Sequence, residues 1–275
     1  MGQIMKAEKK KQQSLYQRIT HPVHKESLFV AFNLVIVIST IIITIVDIIY
    51  GTNGGQSGFL VQGWNYFVPF TINSNILMAI ASSIVLVKLL RYHRRARYFS
   101  SDQKAIHGRK ITNYYYMSVV SLNLTAVTVT LFLAPLSFIK EENGFNMFLG
   151  DMFFFHLVNP ILATYSLLYL YEGTRLSQSS RLLCFVPPLF YSLVYSTHVL
   201  ILRDWEDFYN FTFDGNYLLA TLSATANIIA IYTIATLFAN AYNKRIEEKP
   251  LPKIILPRLN TKNLISPRQT TRNNP

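Results

Sequence analysis

Residues 28–49 read LFVAFNLVIVISTIIITIVDII, and this stretch decides the fold class. It contains no basic side chain and a single acid, Asp47, near its end. Its 22 residues extend ~33 Å as a helix, enough to cross a hydrocarbon core of ~30 Å. A signal peptide would have a shorter apolar part followed by small residues at a cleavage site, so the run reads as a membrane span. β-Branched residues are dense at 41–46 (IIITIV). Continuous apolar length still favours helix, because in lipid every backbone polar group must be satisfied within the segment. Five similar runs follow, at approximately residues 67–90, 114–136, 147–171, 182–202 and 217–242. The predicted architecture is all-α: a polytopic membrane protein whose residues 28–242 form a six-transmembrane-helix bundle. Residues 1–27 and 243–275 are basic tails, the latter polar and proline-punctuated and expected to be disordered.

Composition agrees. Of 275 residues, 51% are hydrophobic and 15% charged, whereas soluble globular chains carry ~25% charged residues. A soluble enzyme is thereby disfavoured. Cys184 is the sole cysteine, which excludes a disulfide scaffold. The net charge of +12 is unevenly placed. Of 26 Lys and Arg, 23 fall in the two tails and in the connections at 91–110 and 172–181, while Lys140 and Arg203 alone occupy the opposite loops. By the positive-inside rule both termini are cytoplasmic, and the expected location is the cell membrane. The charge therefore reads as topology and as attraction to anionic lipid heads, not as a nucleic-acid surface. His93 and His107 fall in the basic connection and are expected to be solvated.

Polar residues within the spans share one depth. Asp47 ends the first span; Thr71, Asn73 and Asn75 open the second; Asp151, His156 and Asn159 lie in the outer half of the fourth. His198 ends the fifth, and Asp214, Asn216 and Tyr217 open the sixth. Each such group in a span is costly and suggests function. Helical spacing puts Thr71 and Asn75 on one face, and His156, Asn159, Pro160 and Ala163 on another. Pro188, Tyr191, Tyr195 and His198 form a stripe on the fifth span. Ser118, Ser121, Thr125 and Thr128 form a hydroxyl stripe on the third, and Ser223, Ala226 and Ala230 a small-residue face on the sixth; both read as helix-packing surfaces.

Threonine becomes a nucleophile when a base takes its proton, and a neutral histidine can serve. Thr71 and His156 are the candidate catalytic pair. Asn75, Asn73, Asn159, His198 and Tyr195 are candidates for holding substrate or the oxyanion, and Phe153, Phe154 and Phe155 for walling an acyl chain. His156, His198, Asp47 and Asp151 are acceptable zinc ligands, but no pair is spaced i, i+3 or i+4 on one span. No metal or other cofactor is expected.

FTINSN (70–75), LFLAPL (131–136), FFHLVNP (154–160), VPPLFYSLVY (186–195) and DFYNFTFDGNY (207–217) occur in an order that resembles the bacterial branch of the androgen-induced-gene-like superfamily. The resemblance covers roughly residues 28–242. It implies a six-span fold and, from the animal members, threonine-dependent hydrolysis of fatty acid esters of hydroxy fatty acids. Thr71 would be the nucleophile and His156 its base. Asn73 stands where the bacterial pattern commonly has glutamine, and Asn159 where an apolar residue is usual. The competing readings are a non-enzymatic lipid-binding or scaffolding protein, and a transporter of a small solute.

Overall fold

A computed structural model describes residues 22–50, 52–53, 60–61, 66–96, 107–139, 148–207, 212 and 215–248. Six helices are long and apolar enough to cross a membrane, so the chain is a multi-pass membrane protein of all-α class. They are α1 (Pro22–Tyr50), α2 (Phe70–Ala96), α3 (Arg109–Leu133, continued by Ala134–Ile139), α4 (Asp151–Leu170), α5 (Gln178–Leu202) and α6 (Tyr217–Glu247). Between α1 and α2 lies a two-residue antiparallel ladder pairing Thr52 with Val61 and Asn53 with Leu60. α1 begins six residues before the apolar run, and α6 continues five beyond Tyr242. The rest of both tails, and Asp214, lie outside the described residues.

The bundle has polar groups inside and apolar groups outside, as lipid requires. On α1 the buried stripe is Phe29, Asn33, Ile36, Thr40 and Asp47, whereas Leu34, Ile38, Ile41, Ile45 and Ile49 face outward. Asn33 joins three elements: its amide donates to Phe29 O (2.8 Å) and Ser166 Oγ (3.3 Å), and its Oδ1 accepts from Tyr115 (3.0 Å).

Basic residues gather at one end. Glu26 on α1 pairs with His93 on α2, Arg175 with Glu247 (3.0 Å), and Arg181 donates to Asn240 (2.9 Å). His93 is exposed as predicted, but His107 is not: it is 2% exposed. Its imidazole stacks on Tyr171 with centroids 4.9 Å apart, and its two nitrogens face Glu172 O (3.2 Å) and Val85 O (3.3 Å). Phe29 and Tyr171 pack against the ring, and Tyr115 stacks on the same Tyr171. At this end Gly173 lies so close to Thr112 that a Cβ would collide with its hydroxyl.

Four stretches widen into π turns: residues 129–133, 154–158, 166–170 and 197–202. The first two end two residues before Pro135 and Pro160. A proline in a helix supplies no N–H to the carbonyl four residues back, and its ring clashes with that carbonyl. Widening the turn relieves the clash.

Candidate functional site

Thr71 is the second residue of α2, which begins directly after Pro69. The N–H groups of a helix's first turn have no intrahelical acceptor, and the macrodipole is positive there. Across from it, His156 lies in the π turn of α4. Its Nε2 is 3.4 Å from Thr71 Oγ1. Each residue is 7% exposed. The two side chains singled out as a catalytic pair thus meet, although 85 residues separate them.

The π turn also explains the asparagines. Asn159 N donates to Phe154 O, five residues back. In a regular α-helix it would bond Phe155 O, which is here released. Asn75 takes that carbonyl (3.4 Å) and Thr71 O (2.9 Å) with its amide. Asn75 Oδ1 accepts from Asn159 (2.9 Å), and Asn159 Oδ1 accepts from Ser39 (3.0 Å). The chain Ser39, Asn159, Asn75 therefore ties α1, α4 and α2 together directly behind Thr71 and His156. Asn73 likewise donates to Phe67 O (2.6 Å) and Pro69 O (3.1 Å), fixing the entry to α2. Both amide protons of Asn73 and of Asn75 go to backbone carbonyls. These residues position the helix start and are not aimed at an oxyanion.

Thr71 opens onto a partly open cavity of about 420 Å³ lined by α2, α3, α5 and α6. Leu124, Val129, Leu133, Leu189, Val199 and Ile228 supply apolar wall. The cavity exists because α6 packs tightly only over its basic-end half, through Ile231, Ala235, Ala239 and Tyr242. The small-residue face at Ser223, Ala226 and Ala230 is only half-buried. In the hydroxyl stripe, Ser118 and Ser121 donate to backbone carbonyls one turn back, while Thr125 and Thr128 reach the cavity.

The phenylalanines expected to wall the acyl chain do not line it. Phe153 and Phe154 point outward, and Phe155 packs with Tyr66 and Ile72. The π turn at 154–158 rotates them away from the α5–α6 side.

Pro188, Tyr191 and Tyr195 do line the cavity, but the stripe breaks before His198. α5 becomes a π turn from Thr197, so +3 spacing no longer repeats the face. His198 instead bonds Asp204 through Nδ1 (2.9 Å) and stacks on Trp205 with centroids 4.1 Å apart. Arg203, with φ 57°, ends the helix and turns Asp204 back toward it. Tyr195 is buried, and its hydroxyl donates to Asp207 Oδ1 (3.1 Å).

Asp47 and Asp151 come together beside Tyr66 at the ends of α1 and α4. Burial pushes the Tyr66 phenol up, and Thr44 Oγ1 lies 3.5 Å from it. Among the described residues, no three His, Cys, Asp or Glu side chains cluster as metal ligands would.

Sequence reasoning missed Ser39, Asn33 and Asp207. The first two were legible as polar residues within the first run. Asp207 was not, because its role depends on a connection folding back over the cavity. No family model, curated protein or solved structure matches this chain.

Proposed function

We propose that this protein is a membrane hydrolase of lipid-like esters with Thr71 as nucleophile and His156 as base. The observation that carries the reading is the 3.4 Å approach of His156 Nε2 to the Oγ1 of Thr71, the residue of the pair that lines a largely apolar cavity. The family resemblance of the FTINSN and FFHLVNP segments supports it.

In this mechanism the ester carbonyl rests against the first turn of α2. His156, with its proton on Nδ1, accepts the Thr71 proton at Nε2 as Oγ1 attacks the carbonyl carbon. The oxyanion faces the N-terminal turn of α2, where the Thr71 and Ile72 N–H groups would supply the donors that the asparagines do not, the Asn73 N–H being given to Pro69 O. Collapse breaks the ester C–O bond, and His156 returns the proton to the leaving alcohol. Water then attacks the acyl-threonine, losing a proton to His156, and the carboxylic acid departs as Thr71 regains its hydrogen.

The gathering of basic side chains at one end supports an orientation with both termini in the cytoplasm of a cell whose plasma membrane holds the protein. Anionic lipid heads would meet that end, and Thr71 would open toward the outer leaflet.

One observation favours a second reading, a lipid-binding pocket without chemistry: the two asparagines nearest Thr71, Asn73 and Asn75, have their amides committed to backbone carbonyls and not to an oxyanion. A fluorophosphonate probe separates the two. Hydrolase predicts covalent labelling that is lost in Thr71→Ala and in His156→Ala. Ester turnover should fall as far in either variant as in both together, since the pair acts as a unit. Folded wild-type protein that takes no label would leave only the binding reading.

A further inference from the structure

Two stripes of α5 reach the cavity. Pro188, Tyr191, Tyr195 and Val199 form the inner one and are buried or half-buried. Leu189, Ser192, Ser196 and Leu200 form its neighbour, and all four are exposed. On α6, Ala224 and Ile228 are likewise both exposed and part of the cavity wall. A side chain that lines a cavity and also faces outward stands at its opening, so the opening is a slot between α5 and α6. Helix packing explains it. Among the described residues α5 packs on α6 through its first segment, Gln178–Leu183, where Arg181 donates to Asn240 (2.9 Å). Farther along, α5 leans on the entry to α2, with Tyr191 donating to Val68 O (2.8 Å). α6 packs instead on α3, where Tyr116 donates to Ala235 O.

The slot runs along the side of two membrane spans. From Leu189 to Leu200 its rim rises roughly 17 Å, about half of a ~30 Å hydrocarbon core. Leu124 and Ile231, both buried, close the far end of the cavity. Water entering through this rim would find two serine hydroxyls among alanine, leucine and isoleucine side chains, fewer partners than the about three that a buried water makes. An alkyl chain loses nothing by entering, because lipid tails are as apolar as the rim. Against Leu124, Val129 and Ile231 it gains dispersion contacts on every side.

We infer that the cavity is a lipid-chain site filled from the side: an amphiphile already dissolved in the bilayer passes its hydrocarbon chain between α5 and α6, and its polar part stays at the Thr71 end. For turnover the inference rests on the hydrolase reading, and it makes the substrate a long-chain ester presented by the membrane, not a short ester dissolved in water. For occupancy it stands without catalysis.

The test uses the full chain in nanodiscs of phosphatidylcholine whose acyl chain carries a diazirine, with adducts mapped by mass spectrometry after irradiation. Chain adducts are expected on Leu124, Val129 and Ile231, buried on the cavity wall, as well as on Ile38 and Ile41, which face outward from α1. In the double variant Ser192→Trp, Ala224→Trp, whose indoles narrow the slot, the interior adducts should fall several-fold while those on α1 are unchanged. Wild-type protein with adducts on α1 and none in the interior overturns the inference, whether or not the double variant folds. So do interior adducts that persist undiminished in the folded double variant. Thr71→Ala should keep the interior adducts. If they form while wild-type protein takes no fluorophosphonate label, the hydrolase reading fails and the lipid site survives; if the label is taken and interior adducts are absent, the reverse holds.

Discussion

At the scale of single residues, the same side-chain type does different work according to what already holds it. Thr71 keeps its hydroxyl toward His156, while Asn75 one turn later spends its amide on Thr71 O and Phe155 O. His198 is tied to Asp204, and His107 is enclosed by aromatic rings. Burial lowers the His107 pKa from its ordinary 6.5, against smaller opposing contributions from the Glu172 and Val85 carbonyls. A histidine held below its unfolded value binds fewer protons in the folded state. Its contribution to stability is therefore complete above pH 6.5 and is lost as pH falls below that value toward the folded pKa. The melting temperature of the solubilised protein should be flat above that point and decline below it, and His107→Gln should flatten the acid limb. An identical acid limb in that variant would show that another group is responsible.

At the scale of elements, Pro160 controls the site without touching it. Pro160 gives no N–H to His156 O, α4 widens, and the released Phe155 carbonyl is what Asn75 grips. In Pro160→Ala a regular turn becomes available. Asn159 N would return to Phe155 O, and the residues before it would shift in phase by about 100°, one residue of helix. His156 would then leave Thr71. The expected outcome is a loss of labelling as complete as in His156→Ala, since the base no longer reaches the hydroxyl, with an unchanged or higher melting temperature. A melting temperature that collapses along with the rate would mean that Pro160 serves the fold and not the site.

At the scale of the molecule, two halves of the bundle differ. The basic-end half is closely packed through Tyr115, Tyr116, Tyr171 and Tyr242, each fully buried. Tyr116 donates to Ala235 O, and Arg245 to Tyr171 O, which lock α6 to α3 and to the end of α4. The opposite half holds the cavity. The proposed orientation, with both termini cytoplasmic, is tested by labelling: a cysteine introduced at Glu248 should react with membrane-impermeant maleimide only after the cell is opened, and one at Gly150 should react before. Cys184 is buried and should give little background. Reaction of the Glu248→Cys protein from outside intact cells would reverse the orientation.

Much of this was present in the order of residues. Apolar runs long enough to cross lipid specify six helices, because backbone groups in hydrocarbon have no partner other than themselves. The distribution of Lys and Arg marks one end of the bundle. Helical spacing groups His156, Asn159, Pro160 and Ala163 on one face, and all four are buried. Tertiary structure alone decided which faces meet. The approach of Thr71 to His156, the spending of asparagine amides on carbonyls, the burial of His107 and the place of Asp207 all depend on contacts between segments distant in sequence. Periodicity assumes 3.6 residues per turn, and four π turns break that count; His198 and the phenylalanines before His156 leave their expected positions where it breaks. A side chain's chemistry is written in its type, but its availability is set by the groups that reach it first.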